Sequence, residues 1–141
     1  LPVAAFLAQR RDRPGPWLMT GAEVALTGRR SAHERLPMRK AGDYPAAIVS
    51  LSAEIDPAGA LRDARIAVGA VEAAPRRWSG LEAAVEGRPL DPAALEPLAR
   101  AHAAEFTPRE APDAPGWYRV SVLPALVRRA FQTLRSQIHA G

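Results

Sequence analysis

Between Gly42 and Val71 apolar and polar residues alternate with a period of two, and after Trp78 the apolar residues recur at steps of three and four. Val49, Leu51, Ala53 and Ile55 share one face of the first run, with Ile48, Ser50, Ser52 and Glu54 on the other. A half-buried strand needs this arrangement, because successive side chains point to opposite sides of a sheet. Asp56, Pro57 and Gly59 supply a side-chain acceptor, a fixed φ and tolerance of positive φ, so a turn is predicted there. Arg65 to Val71 is the return strand, apolar and interrupted by Gly69. A lone hairpin is marginal in water, so it requires a second layer.

The C-terminal half supplies that layer. Trp78, Leu81 and Val85 predict a short helix over 78–86, with Gly87 as its stop. Asp91-Pro92 is a helix start, with Asp as N-cap and Pro in the first turn. Leu95, Leu98, His102 and Phe106 then form one stripe. A third helix is predicted over 116–138, where Trp117, Val120, Leu123, Val127, Phe131, Leu134 and Ile138 recur at helical spacing. Pro124 inside that pattern predicts a kink or a restart. Toward the N-terminus, Val3, Phe6 and Leu7 predict one or two helical turns, ended by Arg13-Pro14-Gly15-Pro16. Trp17 to Leu26 reads as extended, an edge strand in which Met19, Val24 and Leu26 pack. Thr27 to Lys40 reads as an Arg-rich loop with room for a short strand. The fold class is α+β: a small antiparallel sheet of three to four strands packed on a layer of three helices. Its predicted core is Val49, Leu51, Ile55, Ile66, Val68, Leu81, Leu95, Leu98, Leu123, Val127, Phe131 and Leu134.

Composition narrows the chemistry. With 141 residues the chain can bury a core as one domain. It has no cysteine, which excludes disulfides, thiolate metal sites and cysteine nucleophiles. No apolar run is long enough to span a bilayer, and Leu1 to Ala8 lacks the basic segment of a signal peptide. The start at Leu1 rather than Met suggests a fragment or a processed product. The net charge is +4, almost all of the positive charge is arginine, and Lys40 is the only lysine. These arginines are scattered among acids, so nucleic-acid binding is disfavoured; its candidates are Arg128, Arg129 and Arg135, off the stripe of the last helix. His33, His102 and His139 lie in different elements and form no metal-ligand spacing. Neither a glycine-rich phosphate loop nor a GxSxG elbow occurs. No self-contained active site is visible, and no catalytic residue is assigned.

The order of elements is more informative than any single motif. RKAGDYPAAIVSLSAEID resembles an Arg-Arg-x-Gly-Asp-Tyr-Ala stretch and its following strand in the C-terminal domain of molybdenum hydroxylase flavin subunits. That family includes the medium subunit of carbon monoxide dehydrogenase and the flavin portion of xanthine dehydrogenase. LRDARIAVGAVEAAPRR resembles the family's Ile-Ala-Leu-Gly-Gly-Val-Ala-x-x-Pro-x-Arg run, and LEAAVEGRPLDPAALEPLARAHAAE its Glu-x-x-Leu-x-Gly-x-Pro-Leu connector and helix. WYRVSVLPALVRRAF is similar to its closing Tyr-Arg helix.

The resemblance implies that residues 1–26 are the tail of a preceding flavin-binding domain with its crossover strand, and that 27–141 are the C-terminal-like domain. It implies FAD in the full subunit, held mainly by that earlier domain and not retained by this chain alone. It also implies a cytoplasmic oxidoreductase. There a molybdenum-cofactor subunit oxidises the substrate, and an iron–sulfur subunit relays electrons to FAD. This chain would be a non-autonomous part that covers the flavin and docks those partners. By position, Tyr44 would lie against the flavin ring, Arg35 near the family's flavin-contacting lysine, and Met19 or Leu18 under the ring. Counted back from Gly42-Asp43-Tyr44, the lysine position falls on Leu36 instead. A module of the same fold without flavin is the alternative, and a basic nucleic-acid binder the third reading.

Overall fold

The alternation at Val49, Leu51 and Ala53 becomes the second strand of a four-stranded antiparallel sheet whose strands lie side by side in chain order. The computed structural model describes residues 1–10, 12, 14–16, 18–25, 27–38 and 44–139, without the His139 side chain. Gly42, Asp43, Trp17 and Leu26 lie outside the described residues. The strands are β1 (Arg30–Pro37), β2 (Pro45–Ile55), β3 (Leu61–Gly69) and β4 (Arg76–Arg77). The helices are α1 (Val3–Gln9), α2 (Ser79–Val85), α3 (Pro92–Ala101), α4 (Gly116–Ser121) and α5 (Leu123–His139). A 3₁₀ turn, Ala103–Glu105, follows α3.

The turn and cap signals have physical counterparts. Asp56 accepts from the Ala58 and Ala60 backbones and pairs with Arg62, which closes the β2–β3 turn around Gly59 at φ +80°. The Asp91 carboxylate accepts from Ala93 N at 3.1 Å with Pro92 at N1, the predicted cap of α3. Gly87, at φ +72°, ends the segment after α2. One sheet face carries the helices: Val49, Leu51, Ile66, Val68, Leu81, Leu95, Leu123, Val127, Phe131 and Leu134 are buried together. Ile55 and Leu98 pack on this core but stay partly exposed.

Two expectations are corrected, the loop at 27–40 and the strand at 17–26, while the kink or restart expected at Pro124 is a restart. Arg30–Pro37 is a full strand of eight residues, not a loop. The last helix is two: α4 ends at Ser121 and α5 restarts at Leu123, with Pro124 in its first turn, where a missing N–H costs no helical bond. That restart changes the phase of the stripe, so Trp117, on the stripe by spacing, is 70% exposed. In the N-terminal segment no strand forms among described residues 18–25, and Met19 and Val24 are exposed.

Two irregularities shape the sheet. The β1–β2 register passes from Leu36 opposite Ala47 to Pro37 opposite Pro45, skipping Ala46. The β2–β3 register passes from Ser52 opposite Arg65 to Glu54 opposite Arg62, leaving Asp63 extra, at φ +45°. A bulged residue lacks its ladder partner, and here an arginine takes over each freed carbonyl. Arg119 donates to Ala46 O at 3.0 Å, and Arg29 donates to Asp63 O.

Ala70, just past β3, has φ +67°. An alanine there carries about 1–2 kcal/mol of left-handed strain. Glycine would relieve it while raising unfolded-chain entropy by about 0.4–1 kcal/mol. The strain term is the larger, so Ala70→Gly is expected to stabilise the chain by about 0.5–1 kcal/mol, read as a rise in the urea midpoint at constant m-value.

Candidate functional site

The helices cover one face of the sheet, and the other face is open. Across it lie Ser31 and His33 of β1, Ser50 and Ser52 of β2, Arg65 of β3 and Arg77 of β4, lining a shallow groove. The alternation that builds the core places these residues here, since their neighbours Ala32, Leu51 and Ile66 point inward. His33 Nδ1 lies 2.8 Å from Ser50 Oγ. Arg65 pairs with Asp63 at 2.9 Å, and Arg77 forks onto Glu82. The hydrogen bond from Arg65 holds the Asp63 carboxyl below the usual carboxylate range, aided by Arg29, and Glu82 raises the Arg77 guanidinium. Both outer arginines thus act as ion-paired walls of the groove.

Tyr44 sits at the foot of β2 and is 86% exposed. Arg35 is opposite Ile48 in the ladder and exposed. Leu36, the other claimant to that position, turns inward onto the core. Of the two, Arg35 is therefore the residue at the open face. Tyr44 and Arg35 share one end of the β1–β2 ladder, with Tyr44 four residues before Arg35's partner, roughly 13 Å of strand. Met19 is not brought to them. It is 59% exposed and lines a separate groove with Leu18 and with Val3, Phe6 and Leu7 of α1.

Sequence reasoning missed the group that anchors this end. Arg119 of α4 is 0% exposed. Its Nη1 donates to Ala46 O at 3.0 Å and Ala70 O at 3.2 Å, and its Nε to Ala114 O at 3.2 Å. Its Nη2 donates to Asp113 at 2.8 Å, which holds the Asp113 carboxyl below its ordinary value. Arg109 Nε also reaches Ala70 O, at 3.1 Å. The available signal was the Tyr118-Arg119 pair within the closing motif, where an arginine stands between Trp117-Tyr118 and Val120.

The arginines of the last helix are engaged elsewhere. Arg128 pairs with Glu96 at 3.3 Å and Arg129 with Glu34 at 3.1 Å, so two of the three nucleic-acid candidates are matched to carboxylates. Among the described residues no His, Asp and Glu cluster could hold a metal ion, and no helix is long and apolar enough to cross a membrane.

The family model of the CO dehydrogenase flavoprotein C-terminal domain matches residues 32–134. No curated protein shows significant similarity. Among solved structures, reconstituted CO dehydrogenase from Oligotropha carboxidovorans matches with 26% identity and a TM-score of 0.69 over 80% of this chain and 39% of that one. Carbon monoxide dehydrogenase from Hydrogenophaga pseudoflava, in a form lacking the Mo-pyranopterin moiety of the molybdenum cofactor, matches with 26% identity and a TM-score of 0.69 over 79% and 38%. Quinoline 2-oxidoreductase from Pseudomonas putida 86 shares the fold, at 21% identity and a TM-score of 0.70, again over 79% and 38%. The chain thus spans well under half the length of these relatives.

Proposed function

The chain belongs to the family of CO dehydrogenase flavoprotein C-terminal domains, and we propose that Tyr44 and the open sheet face cover the isoalloxazine side of FAD in a molybdenum hydroxylase-like parent enzyme. The observation that carries this reading is Tyr44 itself, an aromatic ring 86% exposed at the end of a well-formed strand. A large ring held at the surface gains from being covered by another flat surface.

The residues present fit one part of FAD. Tyr44 suits stacking on the ring, and Arg35, on the same end of the ladder, offers a guanidinium to a ring carbonyl or to phosphate. Pyrophosphate is ordinarily gripped by glycine-rich backbone loops at helix N-termini, and the sequence contains no such loop. Bound FAD supplies the electron transfer; this chain's residues cover the ring, exclude water and tune its surroundings.

Residues 1–26 are read as the end of a flavin-binding domain. Leu1, Val3, Leu18, Met19 and Val24 are exposed there, and the family match begins only at residue 32. An apolar surface of this kind is what the body of such a domain would bury, and Met19 meets the flavin only by way of that domain. The molybdenum-cofactor and iron–sulfur subunits are the proposed docking partners, and the cytoplasm the proposed compartment.

The test compares this chain alone with the full flavin subunit. One aromatic contact is worth about 1 kcal/mol beyond area burial, whereas micromolar affinity requires about 8 kcal/mol. The isolated chain is therefore expected to be colourless and to leave added FAD at its free fluorescence. In the full subunit, Tyr44→Ala is expected to raise flavin fluorescence and shift the reduction potential with folding intact. An unchanged spectrum and potential would remove Tyr44 from the site.

A further inference from the structure

We infer that Arg119 is a positioning residue for Tyr44: its buried guanidinium fixes the bulge at Ala46 and thereby the direction in which the Tyr44 ring leaves the sheet. The inference rests on the reading that Tyr44 covers the flavin, and it adds a residue far from the ring in sequence.

Ala46 is skipped by the β1 register, and β2 meets β3 only from Ile48, opposite Gly69. The ladder therefore does not fix Ala46, and Arg119 does. The same planar fork reaches Ala46, Ala70, Ala114 and Asp113. Three segments distant in sequence meet on one rigid group, where burial keeps water from competing.

The link from Ala46 to Tyr44 is short and stiff. Pro45 lies between them, with φ fixed by its ring. A residue before proline is itself confined to extended backbone, which restricts Tyr44. A displacement of the Ala46 peptide therefore passes to the Cα–Cβ bond from which the Tyr44 ring projects, rather than being absorbed in the backbone on the way. The family's Gly-Asp-Tyr-Ala stretch has alanine after tyrosine; here proline stiffens that step.

The chain has two tyrosines, Tyr44 and Tyr118, so 3-fluorotyrosine labelling gives two ¹⁹F resonances, with Tyr44 assigned by Tyr44→Phe. A lysine cannot reproduce the fork. Arg119→Lys is expected to broaden or split the Tyr44 line, and Trp78→Phe, which touches neither the Arg119 fork nor Ala46, to leave it unchanged. Pro45→Ala, which leaves Arg119 in place, is expected to broaden the same line and carries the test if Arg119→Lys does not fold. A Tyr44 line unaltered in Pro45→Ala, or in folded Arg119→Lys, overturns the inference. In the full flavin subunit, Arg119→Lys is expected to give most of the several-fold fluorescence rise of Tyr44→Ala, and the double variant to add little. A rise in Tyr44→Ala without one in Arg119→Lys overturns the positioning role and leaves the flavin reading standing. No change in Tyr44→Ala removes the flavin reading, and the ¹⁹F lines still decide whether Arg119 sets the ring.

Discussion

Arg119→Ala is expected to destabilise the chain by about 3–5 kcal/mol, a large share of the roughly 5–15 kcal/mol that holds a domain of this size. The figure comes from what the side chain leaves behind. Ala70 O keeps Arg109 as a donor, but the Ala46 and Ala114 carbonyls lose the Arg119 bonds. Each buried carbonyl left without a partner costs about 1–3 kcal/mol, and the volume vacated by a fully buried side chain adds to that. Arg119→Met restores much of the volume but none of the donors, so it should recover only the packing part. Urea unfolding followed by far-UV circular dichroism would measure both. A loss below about 1 kcal/mol for Arg119→Ala would show that the fork is dispensable, as a surface ion pair would be.

The same group sets an acid dependence. Asp113 in the folded chain titrates below its ordinary value because Arg119 donates to it. The unfolded chain therefore binds the proton first as pH falls. The contribution of the pair is complete above the ordinary carboxylate range and is lost as pH drops below about 4 toward the depressed folded value. Asp56 and Asp63, similarly lowered by hydrogen bonds and nearby arginines, add to the same limb. Asp113→Asn should flatten that limb without changing stability's dependence on pH near neutrality.

What was legible in the chain were the elements whose two faces differ in polarity. Val49, Leu51 and Ala53 alternate with serines, and Leu123 to Leu134 keeps its stripe, so both elements follow from period alone. β1 was illegible because its inward face is not apolar throughout. Glu34 points to the helices, where it accepts from Thr133 at 3.0 Å and pairs with Arg129. Its outward residues are Ser31, His33 and Arg35, so the strand reads as a polar loop. The restart expected at Pro124 falls near Val122, and its effect on phase was not legible: the face of α4 turned inward holds Gly116 and Arg119, not Trp117. Of the proposed site, Tyr44 enters through its motif. Arg119 was not legible, since pattern alone assigns an arginine to solvent, and only the skipped register at Ala46 creates the need for it.

Trp78→Ala is expected to cost about 3–5 kcal/mol, the second large effect, and to loosen the junction of β3, α2 and α3. Trp78 is 0% exposed and joins three elements. Its backbone N–H donates to Ile66 O at 2.7 Å, tying the start of α2 to β3. Its indole Nε1 donates to His102 O at 3.1 Å, which satisfies a carbonyl at the C-terminus of α3. Its ring meets Phe106 edge-to-face at 4.9 Å, and the Arg76 guanidinium lies 4.5 Å from the centre of the Phe106 ring. Truncation removes the aromatic contact, worth about 0.5–1.5 kcal/mol, and opens a cavity that a β3–α2–α3 junction cannot close. Trp78→Phe keeps most of the volume and loses the N–H, so about 1–2 kcal/mol should separate it from the wild type. Hydrogen exchange distinguishes this from the Arg119 effect. Amides of α2 and of the last turn of α3 should lose protection in Trp78→Ala, while those of β2 near Ala47 keep theirs at matched stability. Equal loss at both places would mean that the domain opens only as one unit, and that Trp78 and Arg119 secure a single cooperative structure.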